Sequence, residues 1–318
     1  MSGDKYRVAS LFAGIGGICL GFKQAGFEIV WANEVDSAAC RTYRHNFGNS
    51  YLTEADICQV KTETIPDFDI LVGGFPCQPF SIAGRQKGFD DKRGNLFFEI
   101  TRIMDEKWPK VVFLENVPNL MEHDDGKTFL VIYNTLAQFG YSVKYKVIDA
   151  TDVNIPQNRA RIFIVAFLNI EDCDRFAFPE AVPLEATIEN ILDRGVKHDD
   201  IYYYGSNSRY FKELDVKIVD KTWIYRIDDS GVAMRKWNIC PTLKANMGTY
   251  PDRVPIIRDD FGIRKLTPME CLAFQGYPKD YAFKGISLES AYKQCGNTVC
   301  VPVIKRIANQ IYEVMKNE

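Results

Sequence analysis

A chain of 318 residues is long enough for a sizeable core, in one large domain or two smaller ones. Hydrophobic residues at 46% and charged residues at 25% are ordinary for a globular protein; no apolar run approaches the ~20 residues of a membrane span, and "MSGDKYRVAS" has no signal-peptide core. Nine cysteines with no CxxC pair and only three histidines argue against a disulfide framework and a metal site, and point to the cytoplasm, while a net charge of −3 excludes a generally basic coat but not a local basic cleft.

Residues 6–12 (YRVASLF) predict a strand ending in the glycine-rich turn AGIGG, and 18–26 the helix that follows. A strand over 27–32 and a helix over 37–47 come next. Further strands are expected at 68–72, 111–115, 143–149 and 161–167, with helices near 95–107 and 127–139. Such alternation specifies βαβ units and an α/β fold with a doubly wound, mainly parallel sheet. After about residue 168 the pattern changes to a connector. Residues 200–260 hold short aromatic and β-branched runs with turn residues, the mark of a smaller strand- and loop-rich domain. Helical signals return over 267–274 and from about 299 to 315.

The strand–glycine turn–helix at Gly14, Gly16 and Gly17 has the geometry of a nucleotide-type cofactor site, where missing side chains permit a tight turn and close approach by a ligand. Glu34 closes the second strand, where a carboxylate accepts hydrogen bonds from ribose hydroxyls, and Asp56 follows the next one. Either acid alone reads as a cap or a solvated surface group. Together with the turn they favour an adenosine-containing cofactor, leaving NAD, FAD and S-adenosylmethionine open.

Cys77 sits between two prolines in "GGFPCQPFS", a few residues past a buried strand. Proline fixes its own φ and restricts the residue before it, so this turn is stiff, and a stiff mount suits a nucleophile. An inert buried thiol is the default for cysteine and suits Cys19, Cys40, Cys271 and Cys300, which lie in helical or apolar contexts. Glu115 ends another strand. Arg159 and Arg161, two apart at the start of the strand over 161–167, fall on one face by the period of two. Thiol, acid and guanidinium form a coherent set for attack on a heteroaromatic ring: one adds, one hydrogen-bonds a ring nitrogen, one holds a carbonyl oxygen.

These stretches closely resemble the cytosine-5 DNA methyltransferases, especially the short bacterial enzymes of restriction–modification systems. The likeness is carried by SLFAGIGGICLGF (10–22), ANEVD (32–36), GGFPCQPFSIAGRQKGFDDKRGNLFFE (73–99), VVFLENV (111–117), IPQNRARIF (155–163), RKLTPMECLAFQGYP (264–278) and QCGNTVCVPV (294–303). The resemblance implies a Rossmann-like S-adenosylmethionine-dependent methyltransferase domain over 1–185 and 294–318. It also implies a small target-recognition domain over 186–262 and a hinge over 263–293. Cys77 would add to C6 of a flipped cytosine, Glu115 would contact N3 and the exocyclic amine, and Arg161 would contact O2, with Arg159 supporting the site. Phe12, Gly14, Gly16, Gly17, Glu34, Val35, Asp56, Ile57, Pro76, Leu96 and Asn297 would form the cofactor pocket. At position 35, close relatives often carry a large aromatic, so Val35 offers less stacking area.

The segment 81–94 would be the loop that closes over DNA, with Ser81, Arg85, Lys87 and Arg93 as contacts, and Thr242 would act in the recognition region. Residues 195–262 hold eleven Lys/Arg and ten Asp/Glu, so any DNA surface there comes from arrangement and not from a basic tail. The run Tyr202–Tyr204 reads as strand and core. Double-stranded DNA is the expected partner and a monomer the expected state, with no membrane and no metal. Three rivals stand beside this reading: a tRNA cytosine-5 methyltransferase of the same fold, a catalytically silent DNA-binding relative, and a nicotinamide-dependent oxidoreductase. The last leaves Pro-Cys-Gln and Gln-x-Arg-x-Arg unexplained.

Overall fold

The computed structural model describes residues 5–75, 96–192, 194–208, 210–228, 231–234, 238–249 and 252–316. Its contacts divide the chain into two units, one of Met1–Ile148, Ala160–Pro179 and Val303–Glu318, the other of Asp149–Arg159 and Glu180–Pro302.

The first unit contains β1 (Arg7–Leu11), α1 (Gly17–Gln24), β2 (Glu28–Glu34), α2 (Ser37–Phe47), β3 (Leu52–Glu54), β4 (Ile70–Gly74), α3 (Leu96–Lys107), β5 (Val111–Asn116), α4 (Lys127–Gln138), β6 (Ser142–Ile148), β7 (Arg161–Phe167) and α5 (Ile170–Arg175). The strands form one sheet in the order β3-β2-β1-β4-β5-β7-β6. The first five run parallel, and β7 is antiparallel to both its neighbours. Val8, Ala9 and Leu11 in β1, Ile70–Val72 in β4 and Val111–Leu114 in β5 are all buried. Continuous burial is what a central strand shows when helices cover both faces of a parallel sheet. The chain winds outward from β1 to β3 and then from β4 in the opposite direction. The winding therefore reverses between β1 and β4, and the crevice for a ligand lies beyond their carboxyl ends.

The second unit contains α6 (Phe211–Lys217), β8 (Tyr225–Asp228), β9 (Gly231–Met234), β10 (Ile256–Arg258), β11 (Ile263–Lys265), α7 (Pro268–Ala273) and α8 (Leu288–Asn297). Its strands form an antiparallel sheet ordered β11-β10-β8-β9 over a core of Leu214, Ile218, Tyr225, Ile227, Ile256 and Ile263. Tyr204 packs on this core and Tyr203 donates its hydroxyl to Asp259 at 2.8 Å, which accounts for two of the three consecutive tyrosines. The last helix, α9 (Val301–Met315), belongs to the first unit from Val303 onward. There, α1 makes room for it: a Cβ on Gly21 would lie 2.5 Å from Ile304 Cγ2.

The compact units divide the chain elsewhere than at 185/186 and 293/294. Asp149–Arg159 joins the second unit because its backbone is laced there: Cys240 donates to Pro156 O and Asn158 to Cys240 O at 2.8 and 2.9 Å, and Gln157 Nε2 donates to Phe274 O at 2.6 Å. Strand β11 opens the stretch expected as a hinge. It carries Arg264, which is fully buried and pairs with Asp259 at 2.7 Å through Nε and with both oxygens of Glu270 at 2.7 and 2.8 Å. Thr267 and Glu270 also close a capping box at the start of α7.

Helix α8 crosses the 244–245 backbone with nothing between them. A Cβ on Gly296 would lie 2.1 Å from the Lys244 carbonyl carbon and 2.3 Å from Ala245 N, and backbone on that side cannot rotate away. Gly296→Ala is expected to cost about 1–3 kcal/mol or more from overpacking. Gly205→Ala, whose Cβ would meet nothing within 4 Å, is the control. Urea unfolding of the two variants checks this, and equal midpoints would contradict it.

Candidate active site

At the carboxyl end of β1 the backbone enters the left-handed region at three residues, Phe12 (φ 53), Gly14 (φ 57) and Gly16 (φ 87). For Phe12, a bulky residue with a Cβ, that conformation is uncommon and marks a constrained turn. The two glycines are required for different reasons. Gly16 also faces the Phe47 and Tyr43 rings, which a Cβ would meet at 2.4 and 3.0 Å, whereas a Cβ at Gly14 would meet nothing within 4 Å. Gly14 thus opens onto space that a ligand can approach. Gly17 begins α1.

Glu34, the last residue of β2, fixes this turn. Its Oε2 accepts from Gly14 N–H at 2.8 Å, and Oε1 accepts from Val35 and Asp36 N–H at 2.9 and 2.8 Å. Asp36 in turn caps α2 through Ala38 N–H. Beside this carboxylate Val35 is 66% exposed, an apolar side chain left uncovered at the crevice. Asp56 caps a single 3-10 turn by accepting from Cys58 N–H at 3.0 Å, and Ile57 is buried. Phe12 and Leu96, the latter opening α3, pack on the same core cluster as Ile57 and Phe75. Phe12, Gly14, Gly16, Gly17, Glu34, Val35, Asp56, Ile57 and Leu96 all lie in the first unit, and all but Leu96 end or directly follow β1, β2 or β3. Sequence reasoning missed Asn33, which is buried and donates to Thr53 O and Ala55 O at 3.2 and 2.8 Å, holding the β3 end against β2. Its signal was a polar residue in a buried strand beside Glu34.

Glu115 lies one residue from the end of β5 and forms an ion pair with Arg161, the first residue of β7, at 3.0 Å between Oε1 and Nε. Both side chains are largely buried, at 12% and 15% exposure, so neither charge is left to water. Asn116 donates Nδ2 to Phe75 O at 2.9 Å and accepts from Val117 N–H at 2.8 Å, tying the β5 end to the residue that leads toward Cys77. Pro76, Cys77, Ser81, Arg85, Lys87 and Arg93 lie outside the described residues. Among the described cysteines, burial pushes the thiols of Cys19 and Cys271 up and that of Cys40 up to about 12, away from the thiolate a nucleophile needs.

Arg159 precedes strand β7, which starts at Arg161. Its guanidinium is buried and donates to three carbonyls, Leu243 O and Gly296 O at 3.0 Å each and Thr298 O. Those contacts give Arg159 a structural role in the second unit. Thr242 Oγ1 donates to Asn158 O at 2.6 Å, an anchoring contact in the same unit, and Asn297 is exposed at the end of α8.

A 3-2-1-4-5-7-6 sheet with one antiparallel strand, a left-handed glycine turn after β1 and an acid closing β2 define a Rossmann-like methyltransferase fold. The family model described as C-5 cytosine-specific DNA methylase matches residues 6–313, and the chain belongs to that family: it is a DNA cytosine-5 methyltransferase. Among its relatives, Type II methyltransferase M.Bsp6I of Bacillus sp. (strain RFL6) is 50% identical over 313 residues, 97% of this chain and 99% of that protein. Type II methyltransferase M.HhaI of Haemophilus parahaemolyticus is 40% identical over 313 residues, 96% and 94% of the two chains. The solved structure of the S. pombe Dnmt2 methyltransferase shares the fold, with a TM-score of 0.73 and 20% identity over 98% of this chain and 99% of that one. No helix among the described residues is long and apolar enough to cross a membrane.

Proposed function

We propose that this enzyme methylates C5 of a flipped-out cytosine in a short duplex DNA sequence through a covalent Cys77 adduct, as the modification enzyme of a type II restriction–modification system. The observation that carries the reading is the buried Glu115–Arg161 pair at the end of β5, one hydrogen-bonded strand from the residue that leads into Pro76-Cys77. The match to Type II methyltransferases along nearly their whole length supports the biological setting.

The fit for S-adenosylmethionine rests on the turn. Gly14 leaves open space at the end of β1, Glu34 presents a carboxylate beside it, and exposed Val35 offers an apolar surface to an adenine. Phe12, Gly16, Gly17, Asp56, Ile57, Pro76 and Leu96 complete the proposed pocket. When bound, this cofactor supplies an electrophilic methyl group on a positively charged sulfur. Cys77 adds as thiolate to C6 of the cytosine, and the ring electrons move to C5. Glu115 accepts from the exocyclic amine and contacts N3, Arg161 holds O2, and their mutual ion pair fixes both side chains before the base arrives. After C5 is methylated, loss of its proton returns the electrons and expels Cys77. Since C5 and C6 are hidden in the duplex, the base must leave the stack. Ser81, Arg85, Lys87, Arg93 and Thr242 are the proposed DNA contacts, and the enzyme acts as a monomer in the cytoplasm.

Fluorine at C5 cannot leave as a proton does, so duplex DNA bearing 5-fluorocytosine is expected to yield a complex that survives denaturation and maps to Cys77. An adduct at another cysteine, or none in the presence of cofactor, would overturn the mechanism. Glu34→Ala is expected to weaken S-adenosylmethionine binding by about 10–100-fold, the effect of losing a hydrogen bond to a charged group. Calorimetric titration reads this directly, and unchanged affinity would remove Glu34 from the ribose site.

A further inference from the structure

Gly74 ends β4 and stands in register with Glu115 of β5. A Cβ on Gly74 would lie 3.0 Å from Glu115 Oε2, with Ile18 Cδ1 next at 3.7 Å. Three observations decide which group would have to move. Strand β4 is paired on both sides, Gly73 with Leu11 and Gly74 with Glu115, so it cannot slide away. The following carbonyl, Phe75 O, is held by Asn116 Nδ2 at 2.9 Å. On its far side the carboxylate is held in turn by Arg161 Nε, 3.0 Å from Oε1. The backbone is fixed, so an added methyl group displaces the carboxylate and strains its pairing with Arg161.

We propose that Gly74 is a positioning residue for methyl transfer: its missing side chain is the seat that sets where the Glu115 carboxylate meets the cytosine ring. This inference rests on the reading of Glu115 as the acid that contacts the base. Its glycine is required for close approach and not for a left-handed backbone, since Gly74 is absent from the residues with positive φ. A misplacement of about 1 Å costs on the order of 100-fold, so a shift of a few tenths of an ångström is expected to cost about 10-fold in the chemical step.

The test is a double-mutant cycle of Gly74→Ala with Glu115→Asp, read in single-turnover methyl transfer to duplex DNA and in thermal midpoint. Gly74→Ala alone is expected to lower the single-turnover rate about 10-fold, leave the affinity for S-adenosylmethionine unchanged and lower the midpoint. In the Glu115→Asp background the shorter side chain does not reach residue 74, and the same substitution is expected to have no further effect on either readout. Full activity of Gly74→Ala, or equal losses in both backgrounds, would show a methyl group acting without regard to Glu115 and would overturn the proposal. Glu115→Gln separates the two claims. Full rate in that variant removes the base-contacting role of Glu115, whereas a loss there beside an unaffected Gly74→Ala removes only the role of Gly74.

Discussion

Cys77→Ala is expected to lower single-turnover methyl transfer by at least roughly 10,000-fold, the scale on which covalent catalysis fails when its nucleophile is removed. Binding of S-adenosylmethionine and of duplex DNA should persist, because the substitution removes only the Cys77 thiol and leaves Glu34 and the glycine turn after β1 in place. C5 of cytosine is not nucleophilic until an electron pair is delivered at C6, and a carboxylate paired with a guanidinium does not deliver it. Of the cysteines in apolar settings, Cys19, Cys40 and Cys271 have thiols that burial holds protonated. Rapid quench with labelled cofactor measures the loss. A rate within tenfold of the wild type would mean that another group activates the ring.

Arg264→Met is expected to destabilise the second unit by about 3–5 kcal/mol, because it leaves two buried carboxylates facing each other without their cation. Arg264 and Asp259 are fully buried at the side chain and Glu270 is 9% exposed, so solvent screening does not soften the loss. The pH dependence follows from Asp259. Burial alone would raise its carboxyl, but hydrogen bonds from Arg264, Phe261 N–H and Tyr203 outweigh burial and hold it below the usual carboxylate range. Because the folded value is the lower one, its stabilisation is complete above the unfolded aspartate value of about 3.9 and fades as pH falls through the folded value. In the Arg264→Met protein burial is no longer opposed by the cation, and the deficit should shrink as acid neutralises the carboxylates. Denaturant unfolding between neutral and acidic pH tests both statements. An unchanged midpoint at neutral pH would show that the network contributes nothing.

The central strands of the sheet, β1, β4, β5 and β7, were legible because they are buried on both faces. The segments 68–72, 111–115 and 161–167 read as short apolar runs, against observed strands at 70–74, 111–116 and 161–167, and helix Ser37–Phe47 matched its expected span. The antiparallel direction of β7 was not legible, since a run of hydrophobic residues carries no sign of direction. Helix α6 was missed because it is seven residues long and buries only Leu214, too little for a period to show. Helix α8 was not expected; Ser287 caps its start, and Gly296 and Asn297, both weak helix formers, stand in its last turn. Of the proposed site, the placement of Glu34 at the end of β2 beside a glycine turn and of Glu115 near the end of β5 was legible from the strand pattern. The carbonyl partners of Arg159 were not legible because Leu243 and Gly296 lie far along the chain, and Asp259, Arg264 and Glu270 gave no warning because a turn and a cap bring them together.

The most direct test of the account is methyl transfer from labelled S-adenosylmethionine to duplex DNA and, in parallel, to bulk tRNA, with base-resolution mapping of 5-methylcytosine. Label is expected in DNA at C5 of cytosine within one recurring short sequence, and none in tRNA. Label in tRNA alone, or in neither nucleic acid while the cofactor still binds, would contradict it.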